Sequence, residues 1–173
     1  MMVDGIQHQI PTWTTPEELA CCADVARKSK FILESGCYLG ASAKAMLQAN
    51  PEAHLWTVDH FRAFAFNRQV AEIFLHEFIA QNRCEIIEGD MDKAGEILVH
   101  MRSKIDAVWI DDGHLEEDVR RDIRNALPLL RSGGILFGHD WDGDNDVARG
   151  VKSMLPVQEL YFPVPRVWAW RKP

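Results

Sequence analysis

No apolar run in this 173-residue chain approaches the roughly 20 residues that cross a bilayer, so no membrane partner is expected. The opening MMVDGIQHQIPTW has neither a basic segment nor the apolar stretch of roughly 7–15 residues that a secretory leader needs. That argues for a cytoplasmic protein. Basic residues never run longer than two and the net charge is −7, whereas a nucleic-acid partner calls for a basic stripe; DNA and RNA are disfavoured. The C-terminal RVWAWRK is too short to reverse this. There is no CxxC, and Cys21, Cys22, Cys37 and Cys84 read as reduced, buried thiols, not as disulfides or zinc ligands. Also missing are a G-x-x-x-x-G-K-[ST] phosphate loop, internal repeats, low-complexity tracts and linkers.

What remains is an alternation of short apolar runs with helix-period segments. Thr15-Pro-Glu-Glu18 is a capping box that opens a helix reaching about Lys28. Strands are expected at 31–34, 54–59, 84–90, 105–110 and 135–138. Helices are expected at 41–48, at 63–81, from Asp90 toward Arg102, and from Leu115 to Arg131 with Ser132-Gly133-Gly134 as its stop. Two last β-prone pieces, near 160–162 and 167–170, suit a terminal antiparallel hairpin. The pattern predicts one α/β domain over residues 1–173, with 1–28 as an N-terminal helical extension. Its fold class is a Rossmann-like three-layer sandwich with a mostly parallel sheet and a C-terminal antiparallel hairpin.

Acids mark the strand ends. Glu34, Asp59, Asp90 and Asp111 each stand within a residue of the end of an expected strand, and Asp140 follows Gly138 by two. In open parallel sheets ligands bind just beyond the carboxyl ends of the strands, so these acids face one crevice. Each alone reads equally well as a turn or cap residue.

The loop after the first strand narrows the ligand. In a dinucleotide G-x-G-x-x-G the second glycine lets the backbone approach a diphosphate. Counted from Gly36, that position holds Tyr38 and the last glycine position holds Ala41, which disfavours NAD. Asp59 follows Glu34 by 25 residues, where an acid accepts hydrogen bonds from ribose hydroxyls. Together these features point to an adenosine-type cofactor without phosphates.

These residues resemble a known family. Glu34-x-Gly36-x-x-x-Gly40, Val58-Asp59, Gly89-Asp90 and above all Val108-Trp-Ile-Asp-Asp-Gly-His114 through Gly133-Gly-Ile-Leu-Phe-Gly-His139-Asp140-Trp141 look like the class I SAM-dependent methyltransferases. They are most similar to a small group with an I-D-(G/D)-x-H turn and a G-G-x-x-x-x-H-D-(Y/W) segment. That group includes macrolide sugar O-methyltransferases and cephalosporin-hydroxylase-like proteins. The resemblance covers about residues 30 to 171 and is most specific over 105–141.

It implies a cofactor, S-adenosyl-L-methionine, bound by Glu34, Gly36, Tyr38 and Gly40 around its methionine and ribose and by Asp59 at the ribose hydroxyls. Asp90 would face the adenine amino group, with Met91 an apolar contact to the ring. Asp111 would stand between cofactor and metal. His60 edges the cofactor pocket in one reading and is a solvated loop residue in the other. In metal-dependent relatives, acids matching Asp111 and the pair His139-Asp140 bind magnesium, and a histidine matching His114 is a candidate base. Histidine at 139 replaces the glutamate of that pair and suits manganese, iron or zinc better than magnesium, or is no ligand at all.

The implied activity is O-methylation of a hydroxylated small molecule or sugar, with Asp111 and His114 as candidate catalytic residues. A non-catalytic domain binding SAM or its demethylated product, and an NAD-dependent oxidoreductase on a similar fold, stay open as alternatives. His114 also reads as an ordinary residue opening the following helix. Residues 1 to 28, 61–66 and the loop after Asp140 are those free to enclose the acceptor. A large exposed acceptor, or a lid supplied by a second subunit of a homo-oligomer, would follow.

Overall fold

Thr15 opens the first helix, α1 (Pro16–Ala26), as its capping box dictates: its hydroxyl accepts from the Glu18 amide and the Glu18 carboxylate accepts from the Thr15 amide. The computed structural model describes residues 10–64 and 66–173. Beyond α1 it runs β1 (Phe31–Ser35), α2 (Ala41–Ala49), β2 (His54–Asp59), α3 (Asn67–Ala80), β3 (Cys84–Glu88) and α4 (Met91–Ile97). After a 3-10 turn at Val99–Met101 come β4 (Ile105–Ile110), α5 (Glu116–Leu129), β5 (Leu130–Gly138) and α6 (Asp146–Met154). Another 3-10 turn, Val157–Glu159, leads into β6 (Tyr161–Val164) and β7 (Val167–Arg171).

The strands form one seven-stranded sheet in the order β3-β2-β1-β4-β5-β7-β6. β1 to β5 pair in parallel, and β7 inserts antiparallel between β5 and β6. Helices cover both faces, which gives the expected Rossmann-like three-layer sandwich with its antiparallel C-terminal hairpin.

Coverage of both faces explains why the strands read as unbroken apolar runs. Ile32, Leu55, Trp109 and Phe137 pack with Cys22, Ala26, Met46 and Leu75 of α1 to α3. Leu33, Val58, Ile110 and Leu136 turn the other way, against Met91, Ile123 and Val151 of α4 to α6. Successive residues face opposite layers, so each strand anchors both.

Among the differences from the sequence expectation, three have a clear local cause. α3 begins at Asn67, not Ala63, because Asp59 Oδ1 captures the Phe61 amide at 2.6 Å and Phe61 takes a left-handed φ of 53°. Ser132-Gly133-Gly134 lies within β5, not past a helix end. α5 already stops at Leu129, one residue past Pro128, which cannot donate to the carbonyl four residues back. Gly133 and Gly134 instead pair with Lys172 near the chain end. Third, α6 was not expected: Asn145 caps it by accepting from the Ala148 amide at 2.9 Å, and Val147 and Val151 bury its apolar stripe.

Candidate active site

The parallel register puts the candidate residues in one row. Ser35 stands opposite Val58 and Ile110, and Ile110 stands opposite Gly138. The next residue along each strand is therefore Gly36, Asp59, Asp111 and His139. The ladder continues into this row: Gly36 donates to the Val58 carbonyl, Asp111 to Ser35 and His139 to Ile110. Gly138 keeps the row's outer end tight, since a Cβ there would stand 2.5 Å from the Ile110 carbonyl oxygen and 2.6 Å from the Trp168 ring.

Above the row lies a cavity of about 620 Å³. Gly36, Tyr38, Asp59, His60, Asp111, His114, His139 and Asp140 all line it. Gly36 has φ 95° and Gly40 φ 87°, and Tyr38 itself is left-handed at 49°. The Tyr38 amide donates to Asp59 Oδ2 at 2.7 Å, which ties the glycine turn to the end of β2. Each Asp59 oxygen thus holds one backbone amide, leaving further lone pairs toward the cavity.

Four residues expected near the cofactor do not line this cavity; one is Gly40, which opens α2 and packs against Leu75 while its neighbours Tyr38 and Ala41 line the space. Glu34 is one step before the row and fully buried, and its carboxyl accepts from Ser42 and Thr57 hydroxyls. Burial, with the nearby Asp111 and Asp59 charges adding to it, outweighs these bonds and pushes its pKa up to about 7. Asp90 falls two residues beyond the row, because β3 already ends at Glu88, the partner of Asp59. Its side chain caps α4 by accepting from the Lys93 amide. Met91 is wholly buried in the α4 layer.

At the other end of the row the carboxylates converge on histidines. Nδ1 of buried His139 lies 3.3 Å from Asp111 Oδ1 and 3.5 Å from Asp140 Oδ1, and its Nε2 lies 3.0 Å from Glu18 Oε1. That last contact is an ion pair off the line of the N–H. Burial disfavours the imidazolium, but three carboxylates outweigh it and raise the His139 pKa to about 10. Nε2 of exposed His114 contacts Asp140 Oδ2 at 2.7 Å, which raises the His114 pKa and, with His139, holds Asp140 well below the usual carboxylate range. Arg166, on the β6–β7 turn, pairs with Asp140 Oδ1.

A methyltransferase-domain family profile matches residues 33–141, well over half of the chain. The chain belongs to this methyltransferase family. The class I SAM-dependent methyltransferase expected from the motifs is what the match and the fold agree on. Among curated proteins none matches the sequence significantly. Solved structures share the fold at low identity. A Klebsiella pneumoniae protein named as an O-methyltransferase superposes with a TM-score of 0.71 at 21% identity, over 97% of this chain and 84% of its own. An O-methyltransferase from Bacillus cereus, solved with SAH, gives 0.69 at 15% identity, over 96% and 84%. A TDP-rhamnose 3'-O-methyltransferase of calicheamicin biosynthesis gives 0.71 at 15% identity, over 90% and 78%.

Several lining residues of this methyltransferase escaped the motif reading. Asp112 lines the cavity, and burial beside Asp122 and Asp59 lifts its pKa to about 7. Thr12, Trp13, Arg62, Phe64 and Arg166 form the rim. They lie in loops and a hairpin turn, where no periodicity marks them. Trp141 packs on Phe162 and is absent from the lining. The donor set Asp111, His139 and Asp140, with one ligand atom from each within 4.8 Å of the others, fits a divalent ion that accepts nitrogen. No helix among the described residues is long and apolar enough to cross a membrane.

Proposed function

We propose that this methyltransferase moves the methyl group of SAM onto a hydroxyl of a small molecule or sugar, with the acceptor at the His114–Asp140–Arg166 end of the cavity. One observation carries the reading: the glycine turn with its ribose acid and the histidine–carboxylate cluster line the same space of about 620 Å³. SAM supplies an electrophilic methyl on a sulfonium. Gly36 keeps the turn's backbone clear, and Asp59 offers lone pairs to a ribose. Asp59, Asp111, Asp112 and Asp140 line the cavity and suit a cofactor of net positive charge. Loss of the methyl removes the sulfonium charge and weakens that attraction, which favours release of the product.

The chain's remaining task is alignment and deprotonation of the acceptor. His114 reaches the cavity from the β4–α5 loop and, when neutral, takes the acceptor's hydroxyl proton. Its contact with Asp140 orients the ring and stabilises the imidazolium that forms. A divalent ion held by Asp111, His139 and Asp140 would acidify the hydroxyl. The SAH-bound Bacillus cereus structure and the sugar methyltransferase support the donor and the acceptor class.

Isothermal titration with SAM, SAH and NAD tests the donor, and labelled SAM with a panel of hydroxylated acceptors tests the reaction. SAM binding near one per chain and label on an acceptor oxygen are the expected outcomes. NAD binding without SAM binding would overturn the assignment.

A further inference from the structure

We infer that Glu18, on the N-terminal helix α1, is a positioning residue that fixes His139 as a nitrogen ligand and so tunes the Asp111–His139–Asp140 trio toward manganese, iron, cobalt or zinc and away from magnesium. The inference rests on the trio being part of the methyltransferase site.

Glu18 is 3% exposed and His139 4%, so neither charge is there by solvation alone. Glu18 Oε2 is held by the Thr15 amide at 2.7 Å, and Oε1 lies 3.0 Å from His139 Nε2. The capping box therefore does two jobs: it starts α1, and it aims one carboxylate oxygen at a histidine 121 positions later in the chain. When a cation takes Nδ1 in place of its proton, the Glu18 charge 3.0 Å from Nε2 stabilises the proton that stays on that side of the ring. Nδ1 is the atom that faces Asp111 Oδ1 at 3.3 Å and Asp140 Oδ1 at 3.5 Å.

The charges follow the same logic. Asp111 and Asp140 balance a divalent ion, and Glu18 raises the donor strength of the ring behind it. Magnesium prefers oxygen donors and near-ideal octahedral geometry, whereas the later divalent ions accept imidazole. Arg166 shares Asp140 Oδ1, but its side chain is half exposed on a hairpin turn and can give way.

The test measures ion binding, not turnover. MnCl2, ZnCl2 and MgCl2 are titrated into the metal-stripped full chain and into three variants, and CoCl2 is followed by its visible ligand-field bands. Glu18→Gln keeps a residue able to complete the capping box. It is expected to keep the melting temperature while weakening manganese and zinc about 10–100-fold and shifting the cobalt bands. Thr15→Ala breaks the cap without touching the carboxylate on His139; it should lower the melting temperature and leave ion affinities within about twofold. His139→Glu should reverse the preference toward magnesium.

Equal affinities for wild type and Glu18→Gln would overturn the role of Glu18. A wild-type chain that prefers magnesium, or binds none of these ions at millimolar concentration, would overturn the tuning. Failure of SAM to bind would instead strike at the methyltransferase reading, and is scored in a separate titration.

Discussion

Gly36 and Asp111 meet backbone to backbone: a Cβ on Gly36 would stand 2.2 Å from the Asp111 carbonyl oxygen and 2.8 Å from the Asp112 amide nitrogen. The glycine turn and the β4 loop are thereby fused into one wall of the cavity. Only a residue without a side chain allows it, and φ at 95° makes the same demand independently.

Gly36→Ala should therefore fail on two counts. The left-handed backbone costs on the order of 1–3 kcal/mol for a residue with a side chain. The clash with Asp111 adds to this by pushing the two loops apart. Thermal unfolding should show a melting temperature lower by about 5–10 °C. Titration should show SAM affinity reduced more than tenfold, at a temperature where the variant is folded. A variant that melts with wild type and binds SAM equally would refute the close approach.

Much of this site was readable because register converts sequence into position. Apolar runs ending in acids located β1, β2 and β4, and parallel pairing then placed Gly36, Asp59, Asp111 and His139 side by side. Where the reading slipped, a local event had changed the count. β3 ends at Glu88, so Asp90 overshoots the row and caps a helix instead. Glu34 precedes the row by one residue and faces Ser42 and Thr57 under the loop. Glu18 was legible as a capping residue but not as the neighbour of His139, since nothing in a local pattern links two residues so far apart. Rim residues such as Trp13, Arg62 and Arg166 come from turns, whose side chains are aimed by tertiary contacts alone.

Glu34 should give the fold a pH dependence of its own. Its carboxyl has a folded pKa of about 7 against 4.5 as the ordinary value, so the folded state holds a proton that the unfolded chain has lost. Such a raised group contributes stability fully below pH 4.5, and that contribution fades as pH rises through 7. The effect is roughly 3 kcal/mol at most. Urea unfolding at pH 4.5, 6 and 8 should show the gap between wild type and Glu34→Gln moving in the variant's favour as pH rises. A gap that stays constant across this range would rule out a protonated Glu34.

Asp59 holds the Tyr38 amide with one oxygen and the Phe61 amide with the other. Its replacement by alanine frees both loops that shape the cofactor end and removes the candidate ribose acceptor. A hydrogen bond to a charged group is worth about 1.5–3 kcal/mol, so Asp59→Ala should weaken SAM binding about 10–100-fold in a calorimetric titration. Asp59→Asn, which keeps one carbonyl acceptor, should fall between the two. An unchanged dissociation constant in the alanine variant would remove Asp59 from the cofactor site.

His114 is the residue whose loss should separate chemistry from binding. Its side chain is 62% exposed and, among the described residues, its ionic contact is to Asp140, which keeps His139 and Arg166 as partners, so His114→Gln should lower stability by about 1 kcal/mol or less. Its ring contacts Asp140 on the side proposed for the acceptor, and SAM affinity should stay within about twofold of wild type. Turnover with a methyl-accepting hydroxyl compound should nevertheless fall about 10²–10⁴-fold, the usual share of a positioned general base. Single-turnover assays at saturating SAM isolate this step from product release. A rate close to wild type would take His114 out of the base role and leave deprotonation to the Asp111–His139–Asp140 trio.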